Sequence, residues 1–262
     1  MIIATHGILA SAGGIVYDAD AQAFFDRVTT AGGSLSNTEK TAVNQLVLDM
    51  KSYSIWSKMK AIYPMVGASA AACAQNLKSS SFTGNFSGGW TYASTGITGN
   101  GTTGYMDTGL SDNVNLSLNS AHLSIYSRTN LDGLMCDIGC NTASSNETNI
   151  YAKYLNTFYP RIHNDNAGVS NSVNSLGLFI SNRVNSSEIR ASQNGNLKII
   201  TNTSNNTGSN NVLVGALNAS NIRYFSNRQY AFASIGDGLT DTEAGNFYTA
   251  VNTFQTSLSR NV

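Results

Sequence analysis

Residues 176–180, Leu-Gly-Leu-Phe-Ile, show the pattern that decides the fold of this 262-residue chain. From about residue 81 onward, short runs of β-branched and aromatic residues alternate with turns of Gly, Asn and Ser, at a spacing of roughly 8–12 residues. Such spacing is typical of an antiparallel sandwich or barrel. The dipeptide Asn194-Gly195, which precedes an apolar run at 197–200, predicts a tight hairpin turn. Similar runs lie at 90–92, 104–108, 122–126 and 212–215.

Residues 15–66 carry a helical pattern instead. The first predicted helix has an apolar stripe with spacings of three and four residues: Ala21, Phe24, Phe25 and Val28. Ser36 and Glu39 form a capping box at the start of a second helix, whose stripe is Val43, Leu46, Val47 and Met50. A continuing or third helix is predicted from Ile55, Trp56, Met59 and Ile62, and Pro64 would end it.

The C-terminal end of the chain returns to a helical pattern. Thr240 and Glu243 form a second capping box. The apolar residues that follow, Phe247, Val251, Phe254 and Leu258, predict a helix that lays one face on the sandwich. The sequence therefore predicts a helical base or anchoring segment over residues 1–66, and a β-sandwich with a C-terminal helix over 67–262. The small residues of 67–80 are either a linker or a tightly packed segment.

The composition excludes several classes of protein. Lys and Arg number 15, Asp and Glu number 15, and only 11% of residues are charged, against about 25% in an average soluble domain. Without a basic excess, nucleic-acid binding has no electrostatic basis. No apolar run approaches the roughly 18 residues of a membrane span, and no signal peptide pattern opens the sequence. Since 29 of the 32 Asn lie from residue 85 onward, the neutral amide-rich surface belongs to the predicted sandwich.

No pattern of catalytic residues is visible. Glycoside hydrolysis needs two nearby carboxylates, and two of the four Glu belong to the capping boxes. A serine hydrolase motif is absent, and His122, in a predicted strand, is expected to be a packed or surface residue. The acids close enough in sequence to be checked for hydrolysis are Asp107, Asp132, Asp137 and Glu147.

Metal and disulfide chemistry are equally unsupported. The three cysteines, Cys73, Cys136 and Cys140, are expected to be buried or inert thiols, with a 136–140 disulfide as the alternative. Residues 111–115, Ser-Asp-Asn-Val-Asn, offer clustered oxygens for calcium, but a polar β-turn is the preferred interpretation. We therefore expect no metal and no cofactor.

One stretch is suited to ligand recognition. Aromatic faces and neutral hydrogen-bonding groups suit sugars, which present apolar C–H faces and neutral hydroxyls. The alternative is that these aromatic residues belong to the core of two strands. The candidate ligand-binding residues are Tyr151, Tyr154, Tyr159, Arg161 and His163.

Several segments resemble a module of bacteriophage virion proteins. They are residues 5–8 (Thr-His-Gly-Ile), 17–24, 55–64 (Ile-Trp-Ser-Lys-Met-Lys-Ala-Ile-Tyr-Pro) and 99–108. The run at 55–64 is the most specific. Proteins that look like this occur in phages of Bacteroidetes-type hosts, often as the C-terminal part of larger tail, fibre or spike proteins. The part from about residue 81 is similar to concanavalin A-like, or laminin-G-like, jelly-roll sandwiches, and residues 239–243 resemble their closing helix start.

The resemblance implies a non-enzymatic virion protein: a spike, fibre or decoration component on the virion surface, assembled in the host cytoplasm. Its expected partners are other virion proteins of the capsid, penton or tail, host cell-surface glycan, and further copies of itself, as in a trimer. The alternatives are a purely structural decoration or cementing protein and a polysaccharide depolymerase. The apolar segments at 2–4 and 8–10 are predicted to pack against another virion protein or a symmetry mate.

Overall fold

The computed structural model describes residues 15–142, 146–164, 168–170 and 174–262. The predicted anchoring segments at 2–4 and 8–10 therefore lie outside the described residues. No helix in the described part of the chain is long and apolar enough to cross a membrane.

Helices lie at both ends of the described chain and strands lie between them. The helices are α1 (Ala19–Thr30), α2 (Asn37–Ser52), α3 (Ala70–Cys73), α4 (Asp112–Asn115) and α5 (Asp241–Ser257), with a 3₁₀ turn at Trp56–Lys58. The strands are β1 (Met59–Tyr63), β2 (Asn85–Ser87), β3 (Trp90–Ala93), β4 (Gly96–Gly99), β5 (Tyr105–Ser111), β6 (Ala121–Ser127), β7 (Ile138–Asn141), β8 (Glu147–Tyr154), β9 (Thr157–Arg161), β10 (Val169–Ser170), β11 (Gly177–Arg183), β12 (Glu188–Gln193), β13 (Asn196–Thr201), β14 (Asn211–Val214), β15 (Leu217–Asn218), β16 (Ile222–Arg223) and β17 (Gln229–Gly236).

The strands form two large sheets. One has the order β13-β12-β11-β6-β17-β4-β3, and β1 pairs with β17 outside this path. The other has the order β10-β9-β8-β7-β14-β5-β2, with β15 and β16 attached beside β7. All pairs are antiparallel except the short contact of β15 with β7. The predicted fold class, a mainly β jelly-roll sandwich with N-terminal helices and a C-terminal amphipathic helix, is confirmed.

Two large apolar cores give the molecule three layers, and a small third cluster of Cys136, Tyr151 and Leu217 lies apart from them. Side chains from both sheets form the inner core, for example Ile125, Ile150 and Phe179. The outer face of the first sheet, including Phe232 and Leu178, packs against α1, α2 and α5. The central strands β6 and β11 are buried along their whole length because helices cover the face that water would otherwise reach.

The helix ends follow the local sequence signals. The side chains of Ser36 and Thr240 each accept a hydrogen bond from the backbone N–H three residues on. The carboxylates of Glu39 and Glu243 in turn accept from the backbone N–H groups of Ser36 and Thr240, so both predicted capping boxes are confirmed. All the residues of the predicted stripes of α1 and α2 are buried, and Phe247, Val251 and Phe254 of α5 are buried as well. The Asn194-Gly195 turn is also confirmed: both residues have positive φ and join β12 to β13.

The predicted third helix over residues 55–62 is wrong. After the turn at Trp56–Lys58 the chain becomes β1, whose Ala61, Ile62 and Tyr63 lie opposite Ile235, Ser234 and Ala233 of β17. A short apolar run has the same pattern in a buried helix and in a strand covered on both faces. Pairing with β17, more than 160 residues away, decides between them. Residues 15–66 thus pack on the sandwich, while a domain division at 66/67 stays a prediction.

The segment at 67–80 is packed and not an open linker. Ala72 and Cys73 of α3 are buried, and the amide of Asn76 donates to Lys60 O and Ser81 O while its oxygen accepts from Ile62 N. This fully bonded, buried side chain ties the segment to β1.

His122 makes the fold sensitive to acid. It is fully buried; its Nδ1 donates to Asp237 O at 2.7 Å, so Nε2 is the acceptor toward Ser234 Oγ at 3.1 Å. Burial lowers the pKa of His122 to about 4, whereas a histidine in an unfolded chain has a pKa of about 6.5. The unfolded state therefore binds more protons between these values. His122 stabilises the fold fully above pH ~6.5 and loses that contribution as the pH falls toward 4.

We expect the native protein to lose about 3 kcal/mol more stability than His122→Gln between pH 7 and pH 4. Urea unfolding at pH 7, 5.5 and 4 measures the difference. Carboxylates elsewhere respond equally in both proteins, so the variant isolates the histidine. Identical pH profiles for the two proteins would contradict the assignment.

Candidate functional site

A cavity of about 210 Å³ lies on the outer side of the second sheet, over the β8–β9 hairpin. Four of the five predicted ligand-binding residues line it: Tyr151, Tyr154, Tyr159 and Arg161. The remaining lining residues are Glu147, Leu134, Arg223 and Tyr224.

Strand alternation builds this surface. Side chains two residues apart share a face, so Glu147 and Tyr151 of β8 lie on one face with Arg161 and Tyr159 of β9. Tyr151 lies directly opposite Tyr159, and Glu147 lies diagonally from Arg161, whose direct partner is Asn149. Ile150 and Phe158 point the other way, into the inner core. A register shift between Tyr151 and Tyr154 lets Tyr154 join the same face, although simple alternation would place it opposite. One face of the hairpin thus lies in the inner core and the other lines the cavity, while ligand binding there stays a prediction.

The hairpin tip is fixed by a carboxylate. Leu155 and Asn156 both have positive φ, as in a two-residue turn of type I′. Their backbone N–H groups donate to the two oxygens of Asp132 at 2.8 and 2.9 Å. This bidentate cap offsets the strain of a left-handed leucine and fixes the end of β8, which holds Tyr154.

Charge in the cavity centres on one ion pair. Arg161 Nη1 lies 2.6 Å from Glu147 Oε2, and its guanidinium carbon lies 4.8 Å from the ring centre of Tyr159 and 5.6 Å from that of Tyr151. Glu147 also accepts from the amides of Asn141 and Asn149, at 3.2 and 3.3 Å. The guanidinium of Arg161 is therefore placed close to two aromatic rings, with its Nη1 paired to Glu147.

Arg223 and Tyr224 complete the cavity from a distant part of the chain. Tyr224 has φ of +55°, which is unusual for a bulky residue, and its carbonyl accepts from Cys136 N at 2.8 Å. Its ring lies 6.3 Å from that of Tyr151. Sequence reasoning missed both residues because more than 60 positions separate them from the hairpin, and no local spacing connects the two.

His163, the fifth predicted ligand-binding residue, is not part of the cavity. It is fully buried, with Nδ1 2.8 Å from Leu118 O and Nε2 2.8 Å from Asp112 Oδ1. Asp112 also accepts from Gly208 N at 2.8 Å. The strand β9 ends at Arg161, so the alternation that placed Arg161 in the cavity no longer applies two residues later.

The oxygen-bearing residues considered for calcium binding, 111–115, form regular secondary structure and hydrogen-bond within the protein. Residues 111–115 form the end of β5 and the helical turn α4 in place of the predicted β-turn. Asp112 is buried and bonded as described, and Asn115 Oδ1 accepts from Ser111 N at 2.9 Å. Within the described ranges, no group of three or more His, Cys, Asp or Glu side chains converges as a metal site would require.

The four acids considered for hydrolysis have separate partners. Asp107 accepts from Gly109 N, Asp132 caps the hairpin, Glu147 pairs with Arg161, and Asp137 is fully buried against Arg228. Among the cavity-lining residues only Glu147 is acidic.

All three cysteines are free and buried, as expected, and no 136–140 disulfide forms. Burial raises the pKa of Cys73 to about 12 and that of Cys136 and Cys140 well above the ordinary value for a thiol. The thiolate, which is the reactive form, is therefore suppressed at all three positions.

Three grooves larger than the hairpin cavity adjoin the helices, and the smallest of them, of about 330 Å³, is lined by Asp26, Arg27, Thr30, Ala31 and Gln75. One, of about 460 Å³, lies between α2 and α5, and another, of about 500 Å³, adjoins the start of α2 and the end of α5. Their walls are mostly small polar and aliphatic side chains such as Thr38, Thr41 and Ser257. The hairpin cavity is smaller, but among these four it is the one in which several aromatic rings meet charged groups. The groove between α2 and α5 has one ring, Phe254, and one acid, Asp49.

No family model and no curated protein matches this sequence. The chain is similar in structure to domain 4 of AbnA, an extracellular arabinanase from Geobacillus stearothermophilus in complex with arabinotriose, with 12% identity, a TM-score of 0.48, and coverage of 72% of this chain and 98% of that chain. It is also similar to a Trypanosoma rangeli sialidase mutant displaying trans-sialidase activity (10% identity, TM-score 0.44, 80% and 39% covered). A third similar structure is the botulinum neurotoxin serotype D binding domain (13%, 0.42, 75% and 52%). At these values the likeness concerns the fold alone.

Proposed function

We propose that this protein is a non-catalytic carbohydrate-binding protein whose ligand occupies the cavity over the β8–β9 hairpin. The observation that carries the proposal is the convergence of four tyrosines and two arginines on one small cavity. Tyrosine presents an aromatic face for sugar C–H groups and a hydroxyl for hydrogen bonding. Arginine and Glu147 supply donors and acceptors for sugar hydroxyls.

The size of the cavity limits what it holds. At about 210 Å³ it is smaller than the roughly 300–1,000 Å³ pockets that enclose drug-sized ligands. It suits a single sugar ring, with the rest of a glycan extending into solvent. Such a site binds the end or a side branch of a polysaccharide and not a long stretch of its backbone.

The same cavity argues against glycoside cleavage. Hydrolysis uses a pair of carboxylates about 5–10 Å apart, and Glu147 is the one acid among the lining residues. Its oxygens already accept from Arg161, Asn141 and Asn149. Incubation with the bound polysaccharide should release no oligosaccharide; release would establish the depolymerase alternative.

The setting that we propose is the surface of a bacteriophage particle, as a spike, fibre or decoration protein attached to other virion proteins. Its support is the resemblance of residues 5–8, 17–24 and 55–64 to phage virion modules. A homo-oligomer, such as a trimer, and attachment to host surface glycan belong to this proposal. Labelling the protein in purified particles tests it. A position spread across capsid lattice contacts would favour the purely structural, cementing role.

Replacing Tyr154 by alanine is expected to weaken glycan binding about tenfold or more, because one aromatic wall of the cavity is removed. Tyr154 is half-buried at the end of β8, so its loss should leave the core intact. A glycan array identifies the ligand, and isothermal titration with it measures the change.

The matched control is Tyr105→Ala. Tyr105 is a half-buried tyrosine on β5 of the same sheet, outside the cavity. The Tyr105→Ala variant should bind glycan with the affinity of the native protein. Equal binding by Tyr154→Ala and the native protein would place the ligand elsewhere.

A further inference from the structure

The charges in the hairpin cavity do not balance. Two arginines, Arg161 and Arg223, face one carboxylate, Glu147, among the lining residues. Arg161 and Glu147 pair at 2.6 Å, and the remaining hydrogen bonds of Glu147 go to Asn141 and Asn149. Glu147 is therefore occupied by one arginine and leaves the other unneutralised.

Arg223 is the unneutralised group. Within the part of the chain that the structure describes, its guanidinium makes no ion pair and no hydrogen bond. The guanidinium carbon lies over the face of Tyr224, 5.1 Å from the ring centre. Its Nε is buried without a partner in the same ranges. A half-buried cation that has given up part of its water and found no anion is destabilising on its own. The arrangement favours a ligand that brings a negative charge.

We propose, building on the carbohydrate-binding function, that the cavity selects a sugar residue bearing a carboxylate, and that Arg223 is the residue that determines this specificity. A guanidinium pairs with a carboxylate through two parallel N–H···O bonds, and one carboxylate matches the single unpaired charge. Around it, the hydroxyls of Tyr154, Tyr159 and Tyr224 form no hydrogen bond to another described residue, which leaves them to bind the sugar.

The discriminating experiment compares each acidic polysaccharide with its carboxyl-reduced form, in which each carboxylate becomes CH₂OH and the rest of the sugar is unchanged. The probes are oligosaccharides of hyaluronan, alginate, polygalacturonate and polysialic acid, together with dextran and dextran sulfate. We expect the native protein to bind at least one acidic probe about tenfold or more tighter than its reduced form, since hydrogen bonds to charged groups are worth more than neutral ones.

Two variants at position 223 and one matched control assign the effect. Arg223→Gln should bind acidic and reduced forms of the probe equally, about tenfold below the native affinity for the acidic form, while Arg223→Lys should recover part of the preference. Lys198→Gln removes one exposed positive charge from β13 of the other sheet and should keep the full preference. The midpoint of thermal unfolding should not fall in Arg223→Gln, since no protein hydrogen bond is lost and an unneutralised, half-buried charge is removed.

The outcomes separate this inference from the proposed function. Equal binding of acidic and reduced forms by the native protein, abolished by Tyr154→Ala, would overturn the carboxylate assignment and leave sugar binding in place. Binding of dextran sulfate but of no carboxylate probe would overturn it as well, in favour of a sulfate ester. Binding of no acidic, reduced or sulfated probe would refute the carboxylate assignment, and no binding on the glycan array either would remove the proposed function with it.

Discussion

Replacing Arg228 by methionine is expected to lower the free energy of unfolding by about 3–5 kcal/mol. Arg228 is fully buried, and its Nη1 donates to both oxygens of Asp137 at 2.9 and 3.0 Å. Its Nη2 donates to Leu131 O and Lys153 O at 2.9 and 2.8 Å. Burial alone would lower the pKa of Arg228, but the charge of Asp137 outweighs burial and raises the pKa of Arg228 above its ordinary value, so Arg228 carries its positive charge.

The variant leaves a buried carboxylate with neutral donors alone. Asp137 would keep the Tyr230 hydroxyl at 2.6 Å and Ala152 N at 2.7 Å, but no cation. The carbonyls of Leu131 and Lys153 would lose their donor too. An uncompensated buried charge is the reason for the large effect, and it implies a signature: Asp137→Asn in the Arg228→Met background should restore part of the lost stability.

Urea unfolding of the native protein, the two single variants and the double variant measures this coupling. Lys60→Met is the control, because Lys60 pairs with Asp237 at 3.1 Å while both side chains are about one-third exposed. The loss in free energy of unfolding caused by Lys60→Met should stay below about 1 kcal/mol. A loss under 1 kcal/mol for Arg228→Met, or strictly additive effects in the double variant, would contradict the ion-pair account.

This network also supports the candidate site from behind. Arg228 and Asp137 hold the backbone at Ala152 and Lys153, in the β8 segment between Tyr151 and Tyr154, and fix the loop at Leu131 beside the capping Asp132. We infer that the bulge of β8, and with it the position of Tyr154, depends on a buried pair formed by Arg228 of the loop before β17 and Asp137, the residue before β7.

The second large effect is expected for Phe247→Ala, with a loss of about 3–5 kcal/mol. Phe247 is fully buried on α5, with its ring centre 6.0 Å from that of Phe232 and 5.9 Å from that of His122. Removing it opens a cavity between α5 and the outer face of the first sheet, where the layers cannot close without shifting the helix.

Thr249→Ala on the same helix is the control. Thr249 is exposed, and its loss should change stability by no more than about 0.5 kcal/mol. Chemical denaturation of both variants gives the comparison. Since the candidate cavity lies on the opposite sheet, glycan affinity at a temperature where Phe247→Ala is folded should be unchanged, and parallel losses of binding and stability would contradict this separation.

Short-range features of this protein follow from the sequence alone. Capping boxes, apolar stripes and the Asn-Gly turn involve residues within about four positions of each other, so the local chain already contains both partners of each hydrogen bond or contact. The pattern of short strands also predicts the sandwich. The clustering of Tyr151, Tyr154, Tyr159 and Arg161 was visible for the same reason, since one hairpin carries them all.

Contacts between segments distant in the sequence determine the features that the sequence alone does not predict. Met59–Tyr63 is a strand because it pairs with β17. Arg223 and Tyr224 reach the cavity because β16 pairs with β15, which in turn pairs with β7. Arg228 contacts Asp137, 91 positions away in the sequence. His163 lies outside the cavity because β9 ends two residues earlier. Each of these contacts gains its energy from burial and charge neutralisation between segments distant in sequence, and neither periodicity nor propensity within a short window encodes which distant segment will be the partner.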